Sequence, residues 1–278
     1  MKIVFFGAGS MAEALISGWV HSPTLPPLSL YVTNKSDHAT LKRLEATYDT
    51  SCVVDHPESI ETADFVVLAM KPKDVKEAFP AIRPQISAHT TVISVIAGID
   101  MELLETAFPG HAIVRAMPNT SATIGKSATV LSTNNLVSAS TLNFVTQLFE
   151  AIGTVAVMPD HQMHAVTAVS GSGPAYVYYV TELLQQAAKE RGLPDDEAES
   201  LVLQTLEGAV AMLRETKEKP ATLRQRVTSP GGTTEAGLRQ MKQLGIETAI
   251  SKGIAAATTQ SHILGQAVKD VMLPSRKS

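Results

Sequence analysis

The residues best suited to chemistry lie in short glycine-rich runs. Gly7-Ala8-Gly9-Ser10-Met11-Ala12 reads Gly-x-Gly-x-x-Ala and stands between the apolar run Ile3-Val4-Phe5-Phe6 and a stretch of helical periodicity. In such a turn the first glycine permits the sharp bend. The second leaves no side chain between the backbone and a pyrophosphate, and the small third residue lets helix and strand pack closely. The helix that follows presents free N–H groups and a partial positive charge to phosphates. The run is expected to bind a dinucleotide. The end of the second strand selects which one. An acid there would hold a ribose 2′-hydroxyl, but the strand ends Thr33-Asn34-Lys35-Ser36, a cation among neutral donors. Asn34, Lys35 and Ser36 therefore favour a 2′-phosphate, and so NADPH, with NADH used less well. Asp37 follows on the turn into the next helix and reads as an N-terminal helix residue.

Two more segments have compositions expected of loops. Ser170-Gly171-Ser172-Gly173-Pro174 sits where a helix would otherwise run, and Thr228-Ser229-Pro230-Gly231-Gly232-Thr233-Thr234 precedes another helix. Each offers backbone N–H groups and hydroxyls near a helix start, which suits a carboxylate for the reason it suits a phosphate. Ordinary capped turns have the same composition, so the residues alone leave both readings open. Cys52 is the single cysteine; it can form no internal disulfide and is expected to be buried and inert. His161 and His164 are three apart but lack a cysteine or an evident third ligand, so no metal site is expected.

Positioning these runs calls for alternating strands and helices. Strand-like runs are Ile3–Phe6, Leu28–Val32, a short one at Cys52-Val53-Val54, Phe65–Ala69, Val92–Ile96, Ala112–Val114, Val130-Leu131 and Val155–Val157. Phe65–Ala69 is apolar without alternation, as in a strand covered on both faces. Met11, Leu15, Ile16 and Trp19 share one helical face, and Leu41 and Leu44 mark a second helix. This pattern predicts a doubly wound, mostly parallel sheet over residues 1–158. From 159 to 278 the chain reads as helices: Tyr176–Arg191 stopping at Gly192, one from Asp195, a short one at Thr222–Val227, and more to about Lys269. Gly253–Ala257 is a small-residue stretch that would let helices approach. Hydrophobic residues make up 44% and charged residues 18%, with a formal net charge of −4. That is globular composition without the basic excess of a nucleic-acid surface. No apolar run reaches the ~18–20 residues of a membrane span, and the first apolar run is too short for a signal-peptide core. A cytoplasmic protein with a small-molecule substrate is expected.

The order of motifs resembles that of pyrroline-5-carboxylate reductases: Gly7–Ala14, then Ala69-Met70-Lys71-Pro72, Met117-Pro118-Asn119-Thr120, Ser170–Tyr176 and Ser229–Thr234. The similarity spans nearly the whole chain, and the last two blocks are the specific ones. The resemblance implies a Rossmann domain followed by a helical domain that dimerises through intertwined helices, such dimers often assembling into decamers. It implies that Ala69–Pro72, the Ser94–Gly98 segment with Ala97, and Asn119 belong to the cofactor site. It implies that Ser229 and the Gly231–Thr234 loop hold the substrate carboxylate, with the Thr234 hydroxyl near the imine nitrogen as the catalytic contact. Asp160 matches a usually acidic position at the entry to the helical domain and is expected to contact substrate. Met70 and Ser121 depart from the commoner valine and proline.

Other readings have their own marks. A β-hydroxyacid dehydrogenase relies on a lysine in the first helix of its second domain, and Gln162–Gln186 contains none. A non-catalytic NADPH sensor would have no need of a carboxylate loop. A reductase of a related cyclic imine would share every motif.

Overall fold

The apolar runs form one sheet because their register brings them side by side. The computed structural model describes residues 1–272. In chain order the elements are β1 (Lys2–Phe6), α1 (Ser10–Val20), β2 (Ser29–Thr33), α2 (His38–Tyr48), β3 (Ser51–Cys52), α3 (Glu58–Glu61), β4 (Phe65–Leu68), α4 (Val75–Ile82), β5 (Thr91–Ser94), α5 (Met101–Ala107), β6 (Ile113–Met117), β7 (Ser127–Thr133), α6 (Ala139–Glu150), β8 (Gly153–Val157) and α7 (Met163–Val166). These are followed by α8 (Gly173–Glu190), α9 (Asp195–Thr216), α10 (Pro220–Arg226), α11 (Thr233–Gln243) and α12 (Ile246–Met272).

The sheet order is β3-β2-β1-β4-β5-β6-β7-β8. All neighbours are parallel except β6 and β7. Its first six strands follow the Rossmann order. Strand alternation sends Ile3 and Phe5 to a core with Leu15, Trp19 and Phe149, and Val4 to a core on the other face with Phe79 and Phe108. The third strand is shorter than its sequence suggests. Only Ser51 and Cys52 pair with β2, and Val53–Asp55 turns into a 3-10 helix. Val54 lies 70% exposed, so the apolar run does not all go inward. Cys52 is buried.

The chain divides into two compact units, Met1–Pro174 with the chain from Ala256, and Ala175–Ala255. The boundary at 158/159 read from the change of element class falls inside the first unit. The later part of α12 joins that unit through close packing: a Cβ on Gly265 would lie 2.3 Å from the Gly98 carbonyl oxygen. Lys269 bridges Asp100 and Glu102 at 2.7 and 2.5 Å. His262 stacks on His164 with ring centroids 3.7 Å apart, and His164 Nδ1 lies 2.9 Å from Ser261 Oγ. Within the chain a Cβ on Gly253 would meet nothing within 4 Å.

Burial lowers the His164 pKa from its ordinary value, His262 and Arg115 lower it further, and Asp100 and Asp160 oppose them. The unfolded chain then binds a proton that the folded chain resists, so stability rises with pH across that window. The contribution is complete above the unfolded value of about 6.5 and is lost as pH falls from there through the lowered folded value. The melting temperature should decline between about pH 7.5 and 5.5, and His164→Gln should flatten that decline. Parallel curves for the two proteins would refute the assignment.

In the second unit Ala198 is the one buried residue. Val177, Tyr178, Tyr179, Leu201 and Ile250 are each more than half exposed. Exposed apolar surface of this extent is what interaction faces present.

Candidate active site

Strand register builds the first half of the site. Phe6 is level with Thr33 and with Leu68, which is level with Ser94. Gly7, Asn34, Ala69 and Val95 therefore leave the sheet at one carboxyl edge. β1 and β4 are neighbours there, where the strand order reverses direction, which is where open α/β sheets bind ligands.

Two glycines shape this crevice in different ways. Gly7 has φ +116°, and a Cβ on it would lie 2.6 Å from the Ala69 carbonyl oxygen and 2.9 Å from the Met70 nitrogen. Its N–H donates to Thr33 O at 2.9 Å. Gly7 is thus the place where the Ala69–Pro72 loop comes close to the first turn. Gly9 caps α1 in extended conformation, and a Cβ there would meet nothing within 4 Å. Its open face lies beside the first-turn amides of Ser10, Met11 and Ala12, which have no partners within the helix. Such amides next to open backbone fit a pyrophosphate. Glu13, also in the first turn, would oppose an anion, but Arg43 pairs with it through two hydrogen bonds and lowers its pKa. Asp37 caps α2, accepting from Thr40 N at 2.9 Å.

A cavity of about 780 Å³ gathers Gly7, Ala8, Gly9, Asn34, Lys35, Ser36, Ala69, Met70 and Lys71. Ser10, Met11 and Ala12 form the adjoining helix turn, and Pro72 opens the 3-10 turn after β4. Ala97 and Asn119 do not line the cavity. Its walls carry three lysines, Lys35, Lys71 and Lys73, against three acids, Asp37, Asp74 and Glu77. Lys35 is not a free cation: its Nζ donates to Glu77 Oε2 at 2.6 Å. Each partner favours the charged form of the other, which raises the Lys35 pKa and lowers that of Glu77. No local sequence pattern marks Glu77, because its partner lies 42 positions away in the chain. A cavity of about 510 Å³ against Ser17, His21, Thr24 and Glu150 holds none of the expected site residues.

Asn119 and Asp160 are engaged inside the first unit. Asn119 donates through Nδ2 to Ser170 O at 3.2 Å and accepts from Ser121 N at 3.1 Å. Ser170 is not in a loop, contrary to the expectation from its composition. Thr167–Gly171 is a π-helical turn closed by Ser172 N donating to Thr167 O at 2.8 Å, and α8 begins at Gly173. The wide turn satisfies its own backbone groups in helical form, so a glycine–serine run need not leave the helix. Arg115, only 5% exposed, pairs with the Asp160 carboxylate, whose Oδ2 also accepts from Met101 N at 3.3 Å. That carboxylate serves internal partners.

In the second unit, Ser229–Thr234 forms a turn into α11. Gly231 has φ +70° and its N–H donates to Glu235 Oε2 at 2.8 Å. The Gly232 N–H donates to Ser229 O at 3.0 Å, and a Cβ on Gly232 would lie 2.5 Å from Ser229 Oγ. Both glycine amides, expected to meet a carboxylate, are thus used within the turn. The helix leaves unpaired the amides of its first residues, Thr233 and Thr234, and both residues are exposed. Glu235 is a site-forming residue that the sequence could have revealed, because an acid three residues after a helix cap is the capping-box spacing.

The fold and crevice define a dinucleotide-dependent oxidoreductase with a helical interaction region. Residues 2–98 match the family model described as NADP oxidoreductase coenzyme F420-dependent, and residues 160–264 match pyrroline-5-carboxylate reductase dimerisation. Pyrroline-5-carboxylate reductase 2 of Bacillus subtilis is 43% identical over 250 residues, 90% of each chain. Pyrroline-5-carboxylate reductase 1 of the same organism is 38% identical over 98% of this chain and 92% of its own. The solved reductase from Coxiella burnetii is 33% identical with a TM-score of 0.85, covering 95% of this chain and 98% of that one. The NADP-bound reductase of Plasmodium falciparum is 27% identical with a TM-score of 0.83, over 95% and 98%. The chain belongs to the pyrroline-5-carboxylate reductase family.

Proposed function

We propose that this chain reduces Δ1-pyrroline-5-carboxylate to L-proline with NADPH, the last step of proline biosynthesis. The observation that carries the reading is the match of both halves to pyrroline-5-carboxylate reductases, at 43% identity over 90% of the chain. The cavity at the β1/β4 edge supports a dinucleotide, with the pyrophosphate at Gly9 and the Ser10–Ala12 amides. Ala8, Ala69, Met70, Lys71 and Pro72 complete the cavity side of the cofactor site, and Ala97 and Asn119, which do not line the cavity, are assigned to it by the family resemblance alone. NADPH, when bound, supplies a hydride from nicotinamide C4.

The residues of the chain bind, orient and exclude water. The substrate carboxylate takes the Thr233 and Thr234 amides, while Ser229, Gly231 and Gly232 shape the turn that points them outward. The Thr234 hydroxyl bonds the ring nitrogen. A protonated imine is already electrophilic, so the C=N carbon accepts hydride as the π electrons pass to nitrogen. No strong side-chain acid is required. Asp160 is a positioning residue, held by Arg115. Incubating the purified protein with pyrroline-5-carboxylate and NADPH, and following reduced-nicotinamide absorbance, tests the reading; absence of turnover with proline formation overturns it.

The cation at Lys35 carries the cofactor preference. Lys35→Asp should raise the Michaelis constant for NADPH about tenfold more than that for NADH, the scale of one charge-assisted hydrogen bond. Equal constants for the two cofactors in the wild type would count against this. The uncovered faces of α8, α9 and α12 are proposed to close a homodimer, the unit from which a decamer of five dimers would assemble. A stable monomer at micromolar concentration in sedimentation would contradict the dimer. None of the described helices is long and apolar enough to cross a membrane, and a cytoplasmic location is proposed.

A further inference from the structure

The cavity beside β2 carries an acid that the strand end itself does not supply. Glu77, on the first turn of α4, reaches Lys35 with Oε2 2.6 Å from Nζ. Both side chains are about three-quarters exposed, at 76% and 77%, on the wall of one cavity. The pair joins the turn after β2 to α4 on the wall of the cavity in which a 2′-phosphate would meet Lys35.

Two consequences follow from charge and geometry. A 2′-phosphate carries nearly two negative charges and three acceptor oxygens, so it competes with the Glu77 carboxylate for Lys35 and is repelled by it. An unphosphorylated ribose leaves that carboxylate in place as an acceptor near the sugar. Sites that use NAD keep an acid at the end of the second strand for this purpose; here α4 brings one to the same cavity. The exposed ion pair is weak and screened, so it biases binding without blocking it.

We infer that Glu77 is a specificity residue that sets the balance between phosphorylated and unphosphorylated dinucleotides. It competes with the 2′-phosphate for Lys35 and accepts from the 2′-hydroxyl when the phosphate is absent. The inference rests on the reading of Asn34-Lys35-Ser36 as a 2′-phosphate site.

The test is calorimetric titration of the full-length protein with 2′,5′-ADP and with 5′-AMP, two nucleotides that differ in the 2′-phosphate. Wild type, Glu77→Gln, Lys35→Gln and the double variant are compared. Thermal unfolding checks that each is folded, as expected for exposed positions. Glu77→Gln should tighten 2′,5′-ADP about two- to fivefold, the worth of an exposed ion pair, and leave 5′-AMP unchanged or weaker. In the Lys35→Gln background that gain should vanish. The wild-type ratio of the two affinities tests the phosphate site, and the change of that ratio tests Glu77. If wild type prefers 2′,5′-ADP and Glu77→Gln leaves the ratio unchanged, the role of Glu77 is overturned and the NADPH reading stands. If wild type shows no preference, the NADPH reading falls. An equal gain for both nucleotides would mark a general charge effect and also overturn the inference.

Discussion

Replacing Thr234 by valine is expected to lower kcat/KM for the imine about ten- to hundredfold. Valine keeps the shape and removes the hydroxyl. A hydrogen bond to a charged or developing centre is worth roughly 1.5–3 kcal/mol, and each 1.4 kcal/mol or so is a factor of ten in rate. Thr234 is the second residue of α11 and is exposed, so losing its hydroxyl should not unfold the turn. The turn is held instead by Glu235 on the Gly231 N–H and by Ser229 O on the Gly232 N–H. NADPH affinity should be nearly unchanged, since the nucleotide contacts are assigned to the Rossmann domain. Steady-state kinetics with both ligands varied check this. A loss below about threefold would remove the nitrogen contact and leave Thr234 as a helix-start residue.

Gly7→Ala should damage both folding and nucleotide binding, whereas Gly9→Ala should damage binding alone. At Gly7 a methyl group meets the Ala69 carbonyl at 2.6 Å, a backbone atom that cannot swing aside, and φ +116° is strained for any L side chain. Together these cost about 2–4 kcal/mol, or about 5–15 °C in Tm for a chain of this size. Relief by moving Ala69–Pro72 would open the cavity. At Gly9 φ is −78° and nothing lies within 4 Å of the added Cβ, so alanine should fold as well as wild type. Its methyl group would occupy the space assigned to the pyrophosphate, and dinucleotide affinity should fall about tenfold or more, the effect of holding phosphate off by one carbon. Calorimetry and thermal unfolding on the two variants separate the roles. Wild-type melting of Gly7→Ala, or undiminished nucleotide binding by Gly9→Ala, would show that the glycines do not divide the work in this way.

Much of the first half was legible because its signals are local. A strand run followed by Gly-x-Gly and helical periodicity specifies a βα turn whatever surrounds it. The turn into α2 was marked by Asp37 and the end of α8 by Gly192, with φ +89°. The class of the sheet followed from alternation of strands with helices. Composition misled at Ser170–Pro174, where glycine and serine announce a loop and the backbone stays helical through a π turn. It also lengthened β3, because a short apolar run does not say which of its residues point inward.

By itself, then, the sequence determined the βα turn at Gly7–Ala12, the doubly wound class of the first half, the helical second half and the family motifs in their order. Tertiary structure decided which side chains meet. Glu77 reached Lys35, Arg115 claimed Asp160, and Gly265 settled against Gly98, each pair joined by register and packing across a long stretch of chain. The use of the Gly231 and Gly232 amides within their own turn is, by contrast, a local matter, set by Glu235 and Ser229 a few residues away. The physical reason is one of range. Turn propensity, periodicity and capping act over a few neighbouring residues and are written in the order of the chain. A charge or a donor becomes available or committed only when another element arrives beside it, and that is fixed by strand register and by the packing of helices on the sheet.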